Sequence, residues 1–265
     1  MKSLSLQTSS IAASMTVSID TLAKKLKAEG KDIVSLGAGE PDFKTPEIIR
    51  NAAKEAIEQG KTKYVAPTGL EEVRKAVANK LQKENGLSYS ANQIVLTSGA
   101  KQAVFNSLAA LINPDDEIII PAPYWVTYPE LVKWFKGVPV FIETTPESAF
   151  KISPEQLKNA ITEKTKAVIL NNPCNPSGAV YSPKELKALS EVIVDNDLFC
   201  ISDEIYEHFC YETEFASIAS FPDMYERTIL INGFSKSHCM TGWRIGYNAL
   251  PETIAPLITK IQSQA

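Results

Sequence analysis

The feature that most constrains this chain is an alternation that runs through most of its length. Short apolar runs rich in Ile, Val and Leu are separated by stretches with helical periodicity. Strands are expected near 94–97, 117–120, 139–142, 167–170, 198–201, 228–231 and 244–248, with a further short strand at 33–36. Helices are expected near 17–29, 46–59, 70–85, 101–111, 125–136, 154–161, 183–195 and 251–262. Strand, helix and strand in series require crossover connections, which put helices on both faces of a sheet. The expectation is therefore an α/β fold: a mostly parallel seven-stranded sheet sandwiched by helices. Ser153-Pro154 and Ser182-Pro183 read as caps followed by first-turn prolines, and Gly86 as a helix stop.

Composition excludes several classes. Lys plus Arg is 27 against 31 Asp plus Glu, a net charge of −4, so there is no basic field for nucleic acid or an anionic membrane. Apolar residues are 44% and charged residues 22%, a globular mixture, and no apolar run has the length of a membrane span. Cys174, Cys200, Cys210 and Cys239 form no CxxC pair, and there is no N-x-Ser/Thr sequon; both favour a reducing cytoplasm. The Ser/Thr-rich stretch from Ser3 to Ser18 lacks a hydrophobic core, and no Arg precedes Arg50, so neither a signal nor a transit peptide is expected. Asp42 breaks the Gly37-x-Gly39 run as a dinucleotide fingerprint, and neither GxxxxGK[ST] nor GxSxG occurs. His208 and His238 lack zinc-ligand spacing, so no metal is expected.

Chemistry-bearing residues gather where the strands should end. Lys236, in Phe234-Ser235-Lys236-Ser237, closely follows a strand, where a desolvated amine can form a Schiff base. Asp203 ends another strand; a carboxylate there either caps a turn or keeps a pyridine nitrogen protonated. Thr97-Ser98-Gly99-Ala100-Lys101 joins strand to helix, either as a simple Ser98 cap or as an anion cradle. The run Asn171 to Gly178 carries two X-Pro bonds that stiffen a turn around Asn175. Trp125 can stack on a planar ring or fill a core, and Arg244, between Gly242 and Gly246, can clamp a phosphate. Each signal alone is weak, but amine, carboxylate, cradle, amide, aromatic and arginine together fit one cofactor, pyridoxal 5′-phosphate.

With these motifs the sequence resembles the class I, fold-type I aminotransferases, most of all the bacterial-type aspartate aminotransferases. The likeness includes Ser14-Met15-Thr16, Ser35 to Phe43, Tyr64 to Gly69, Ser98 to Gln102, Pro121 to Trp125, Asn171 to Gly178, Ser202 to Tyr206, Ser235-Lys236-Ser237 and Gly242 to Gly246. The resemblance implies that Lys236 tethers the cofactor and shuttles a proton, with Asp203 on the ring nitrogen and Tyr206 and Asn175 on the ring oxygen. It implies that Ser98, Gly99, Ala100, Ser235 and Arg244 hold the phosphate and that Trp125 stacks on the ring. Tyr64 is implied to reach the neighbouring subunit's phosphate in a homodimer. Gly39, Trp125 and Asn175 are implied near the substrate α-carboxylate, and Thr16 and Lys101 near a second, acidic carboxylate. The implied reaction moves an amino group from an L-amino acid, aspartate foremost, to 2-oxoglutarate with ping-pong kinetics.

The family pattern continues beyond the point where this sequence stops, so a C-terminal truncation is expected. Residues 1–45 then read as an N-terminal arm and part of a small domain, and 46–265 as the cofactor-binding large domain. No arginine follows Arg244, so the family's substrate-carboxylate arginine has no counterpart here. Weak cofactor binding or poor transamination is expected, as is exposed apolar surface on 17–36 and the last helix. The alternatives are another enzyme of the same fold (a C–S lyase, a decarboxylase, a cyclopropane-forming synthase or an aromatic/prephenate aminotransferase) and a non-catalytic cofactor-binding remnant.

Overall fold

The apolar runs pair into one sheet because each has bulky residues on both of its faces. A computed structural model describes residues 5–9 and 11–264. Its strands are β1 (Ile94–Ser98), β2 (Glu117–Pro121), β3 (Val138–Ile142), β4 (Thr165–Asn171), β5 (Phe199–Asp203), β6 (Thr228–Gly233) and β7 (Ile245–Ala249), in the order β1-β7-β6-β5-β4-β2-β3. The helices are α1 (Leu6–Ser9), α2 (Met15–Ala28), α3 (Glu47–Glu58), α4 (Glu71–Asn85), α5 (Ala100–Leu111), α6 (Thr127–Trp134), α7 (Pro154–Ala160), α8 (Pro183–Asp195) and α9 (Ala255–Gln262). Successive strand residues face opposite layers. Ile118, Ile120 and Ile169 pack with Val104 and Leu108 of α5 and Ile258 of α9, whereas Ile119, Val168 and Leu170 pack with Leu186, Leu189 and Ile193 of α8.

The sheet is mostly parallel, with one departure. β7 runs antiparallel to both β1 and β6. The segment between β6 and β7 holds only short turns, too little chain for a helical crossover, so β7 returns beside β6 in the opposite sense. The consequence is functional. The other strands deliver their carboxyl ends to one edge, and β7 delivers its amino end, with Arg244 just before it, to the same edge.

The expected caps form. Ser182 accepts from the Glu185 N–H while Glu185 Oε2 accepts from Ser182 N; Ser153 and Gln156 do the same. Gly86 ends α4 with φ 68°. The expected strand at 33–36 does not form. Val34 and Leu36 are exposed and no neighbouring strand offers them hydrogen bonds, so the apolar pair stays irregular. Val17, Ile19 and Leu22 of α2 and Leu257 of α9 are also exposed. The last helix starts at Ala255 rather than 251, with Pro256 in its first turn. No helix among the described residues is long and apolar enough to cross a membrane.

Candidate active site

The strand ends enclose a cavity of about 670 Å³. Of the residues singled out from the sequence, it brings together Thr16, Gly39, Ala100, Lys101, Trp125, Asn175, Asp203, Tyr206, Ser235, Lys236 and Arg244. Ser98 and Gly99 lie beside it on the turn from β1 to α5, and Tyr64 stands in solvent away from it.

Asp203 ends β5, level with Asn171 on β4, and is 2% exposed. Its Oδ2 accepts from the Tyr128 hydroxyl at 2.7 Å and its Oδ1 from the Ile205 N–H at 3.3 Å. Burial pushes the Asp203 carboxyl up to about 6, while these two donors pull the other way by favouring the anion. Asn171 ties the neighbouring turn to the same strand end. Its Nδ2 donates to the Asp203 carbonyl at 2.9 Å, and its Oδ1 accepts from the Asn175 N–H at 2.6 Å.

Lys236 follows β6. Its Nζ donates to the Gly39 carbonyl at 2.7 Å and lies 6.0 Å from the centre of the Tyr206 ring. Burial holds this amine below the ordinary lysine range, with the Arg244 charge adding to the effect and Glu40 opposing it. Glu40 in turn accepts from Thr241 Oγ1 at 2.6 Å. Lys101 is lowered too, by burial and by Arg244, with its Nζ 4.9 Å from the Trp125 ring centre. Burial and the Asp203 charge raise the Tyr206 phenol.

The same cavity has a cationic corner beside Gly99 and Gly246. Gly99, at φ 78°, caps α5 with no side-chain cap hydrogen bond, so Ser98 does not serve as a simple cap. Arg244 donates to the carbonyls of Thr241 (2.8 Å) and Ser98 (3.4 Å). A Cβ on Gly99 would lie 2.4 Å from Arg244 Nη2, and one on Gly246 would lie 2.4 Å from the Ala100 nitrogen. Only glycine lets β7, the arginine and the start of α5 approach so closely. The start of α5 at Ala100, the Ser235 hydroxyl and the Arg244 guanidinium line this part of the cavity, a donor set suited to an anion.

Sequence reading missed Tyr128, Glu40 and Thr241. Tyr128 is 2% exposed, with its ring 5.4 Å from Trp125 and perpendicular to it. Its placement three residues after Trp125, on the same side of a helical turn, was the available signal.

Beside Asp203, Glu204 is 1% exposed and points into the core, where its Oε1 accepts from Ser202 (2.8 Å) and Ser217 (2.6 Å) and its Oε2 has no partner among the described residues. Burial pushes this carboxyl up to about 8. It is therefore neutral in the fold at pH values where a free glutamate is ionised. Its contribution to stability is full below pH about 4.5 and is lost as pH rises towards about 8, on the order of a few kcal/mol. Thermal unfolding followed from pH 5 to 8.5 should show a falling midpoint in the wild type and a flatter profile in Glu204→Gln. Equal slopes would show that Glu204 does not titrate in this range.

Comparison with known proteins agrees with this geometry. The family model for aminotransferase class I and II matches residues 31–265. The aspartate aminotransferase of Bacillus subtilis (strain 168) is 47% identical over 264 residues, 99% of this chain and 67% of that protein. The aspartate/prephenate aminotransferase of Thermus thermophilus is 44% identical over 265 residues, 100% of this chain and 68% of that protein. Among solved structures, the Thermus thermophilus aspartate aminotransferase with maleate superposes with a TM-score of 0.97 at 44% identity, covering 100% of this chain and 69% of that one. The chain belongs to the aminotransferase class I and II family and spans about two thirds of the length of these relatives.

Proposed function

We propose that the cavity holds pyridoxal 5′-phosphate and that the chain transfers an amino group from L-aspartate to 2-oxoglutarate in two half-reactions. The observation that carries this reading is the pairing, in one cavity, of a desolvated lysine amine with a buried carboxylate beside an anion cradle. The donor set fits the group. Asp203 is a buried carboxylate held only by Tyr128 and Ile205 among the described residues, so it has acceptor capacity for a pyridinium. The corner made by Gly99, Ala100, Ser235 and Arg244, with Ser98 behind it, suits a phosphate.

Bound there, the cofactor supplies a protonated ring that draws electrons from the substrate Cα. The protein's own groups do the rest. Lys236 Nζ, whose pKa burial lowers, would be the amine that holds the cofactor and the base that moves the Cα proton. Asp203 would pair with the ring nitrogen and favour its protonated form, Tyr206 and Asn175 would donate to the ring oxygen, and Trp125 would stack on the ring. Gly39, Trp125 and Asn175 border the α-carboxylate, and Thr16 and Lys101 accept the second carboxylate of an acidic substrate. The Thermus enzyme was solved with maleate, a four-carbon dicarboxylate like aspartate, which supports that preference. The names of several relatives favour prephenate as a further acceptor. Residues 1–45 form the arm and part of a second lobe, and 46–265 the cofactor domain. Tyr64, exposed here, serves the site of a second copy in a homodimer.

Protein reconstituted with pyridoxal phosphate and given aspartate and 2-oxoglutarate should form oxaloacetate and glutamate, slowly but beyond one equivalent. Cofactor binding with neither product would overturn the transaminase reading and favour a non-catalytic remnant.

A further inference from the structure

We propose that Tyr128 is a positioning residue for Asp203: its hydroxyl, donated to Oδ2, fixes the carboxylate's orientation and keeps it anionic where it faces the cavity. The geometry is specific. The O–H···O distance is 2.7 Å, and both residues are 2% exposed. The two sit on different elements, Tyr128 in the first turn of α6 and Asp203 at the end of β5. The bond therefore depends on the packing of that helix against the sheet, not on local chain geometry.

Two further observations support the assignment. The perpendicular contact with Trp125 holds the phenol ring from one side, so its hydroxyl has little freedom to turn away. Burial and the Asp203 charge raise the Tyr128 phenol well above its ordinary range, so it remains a proton donor at every working pH. With Oδ2 taken, Oδ1 meets only the Ile205 N–H at 3.3 Å among the described residues, a long contact that leaves capacity for a cationic ring nitrogen. Tyr206 and Cys174 are the other ionisable neighbours of Tyr128, and Lys236, Lys101, Arg244 and Glu40 share the cavity with Asp203. None of them donates a hydrogen bond to the Asp203 carboxyl; that falls to Tyr128 and the Ile205 N–H.

The part of this inference that concerns the cofactor rests on the proposed function, but the carboxylate's titration does not. The test is carbon-13 NMR of protein labelled at the Asp side-chain carboxyl, with the Asp203 signal assigned by its loss in Asp203→Asn. In Tyr128→Phe the Asp203 midpoint should move up by about one pH unit, the order expected for losing a hydrogen bond to a charged group. An unchanged midpoint would overturn the proposal. Binding of pyridoxal phosphate, read by absorbance, should weaken roughly tenfold in Tyr128→Phe. In an Asp203→Asn background the same change should have little further effect, because the tyrosine acts through the aspartate. Equal losses in both backgrounds would mark a merely structural residue. If wild-type protein takes up no pyridoxal phosphate, the functional reading fails while the NMR titration still decides the role of Tyr128. Should Tyr128→Phe not fold, wild-type protein containing 3-fluorotyrosine gives the same answer. Its Tyr128 fluorine signal should follow the Asp203 midpoint and lose that step in Asp203→Asn; a signal without the step would contradict the proposal.

Discussion

Replacing Lys236 by alanine should abolish transamination, with a loss on the order of 10⁴-fold or more, while the protein still folds and takes up pyridoxal phosphate without a covalent bond. The side chain is half-buried and packs on no core cluster, so its removal costs little stability. What goes is the half-buried amine that sits 2.7 Å from the Gly39 carbonyl and 6.0 Å from the Tyr206 ring centre. Lys101 also lines the cavity, but its Nζ lies over Trp125, and it cannot replace the lost nucleophile without leaving that ring. Lys236→Arg should be as inactive as the alanine variant, because the guanidinium keeps the charge and lacks a free amine pair. The comparison is made with aspartate and 2-oxoglutarate under saturating cofactor, scoring oxaloacetate. Retained turnover in either variant would remove the lysine from the chemistry.

Asp203→Asn should be nearly as damaging. The amide keeps the shape of the carboxylate, so Tyr128 and Ile205 lose little packing, but the negative charge that would face the ring nitrogen disappears. Removing one preorganised electrostatic contact at a reacting centre typically lowers kcat by about 10² to 10³. Cofactor affinity should fall with it. The same charge gives a pH dependence with a defined sign. The carboxyl, raised to about 6 by burial, is anionic above that pH and neutral below it, so cofactor binding by the wild type should weaken as pH falls through about 6. Asp203→Asn should lack that step. A variant with wild-type turnover and an unchanged profile would show that the ring nitrogen needs no partner here.

Much of this was legible in the sequence for a physical reason. Parallel strands buried on both faces read as uninterrupted runs of large apolar residues, as at 118–120 and 167–170, and each run ends where a polar residue must meet the edge. Lys236, Asp203, Asn175 and Ala100 could therefore be placed at one rim before their neighbours were known. What escaped depended on partners distant in sequence. Tyr128 meets Asp203 across 75 residues, a contact created by docking α6 on the sheet. The reversal of β7 was hidden because a strand's direction leaves no mark on its own pattern. Residues 33–36 had a strand's composition, yet a strand exists only where a neighbour supplies hydrogen bonds. Ser98 read either as a cap or as part of an anion cradle; Gly99 holds the cap position, where a Cβ would run into Arg244.

The most direct measurement is the fate of the cofactor on reduction. Protein incubated with pyridoxal phosphate should show a visible absorbance band that borohydride removes. Peptide mapping should then find the pyridoxyl group on a single peptide, at Lys236. A label on Lys101, one scattered over surface lysines, or no band at all would contradict the pairing of amine and carboxylate on which the account stands.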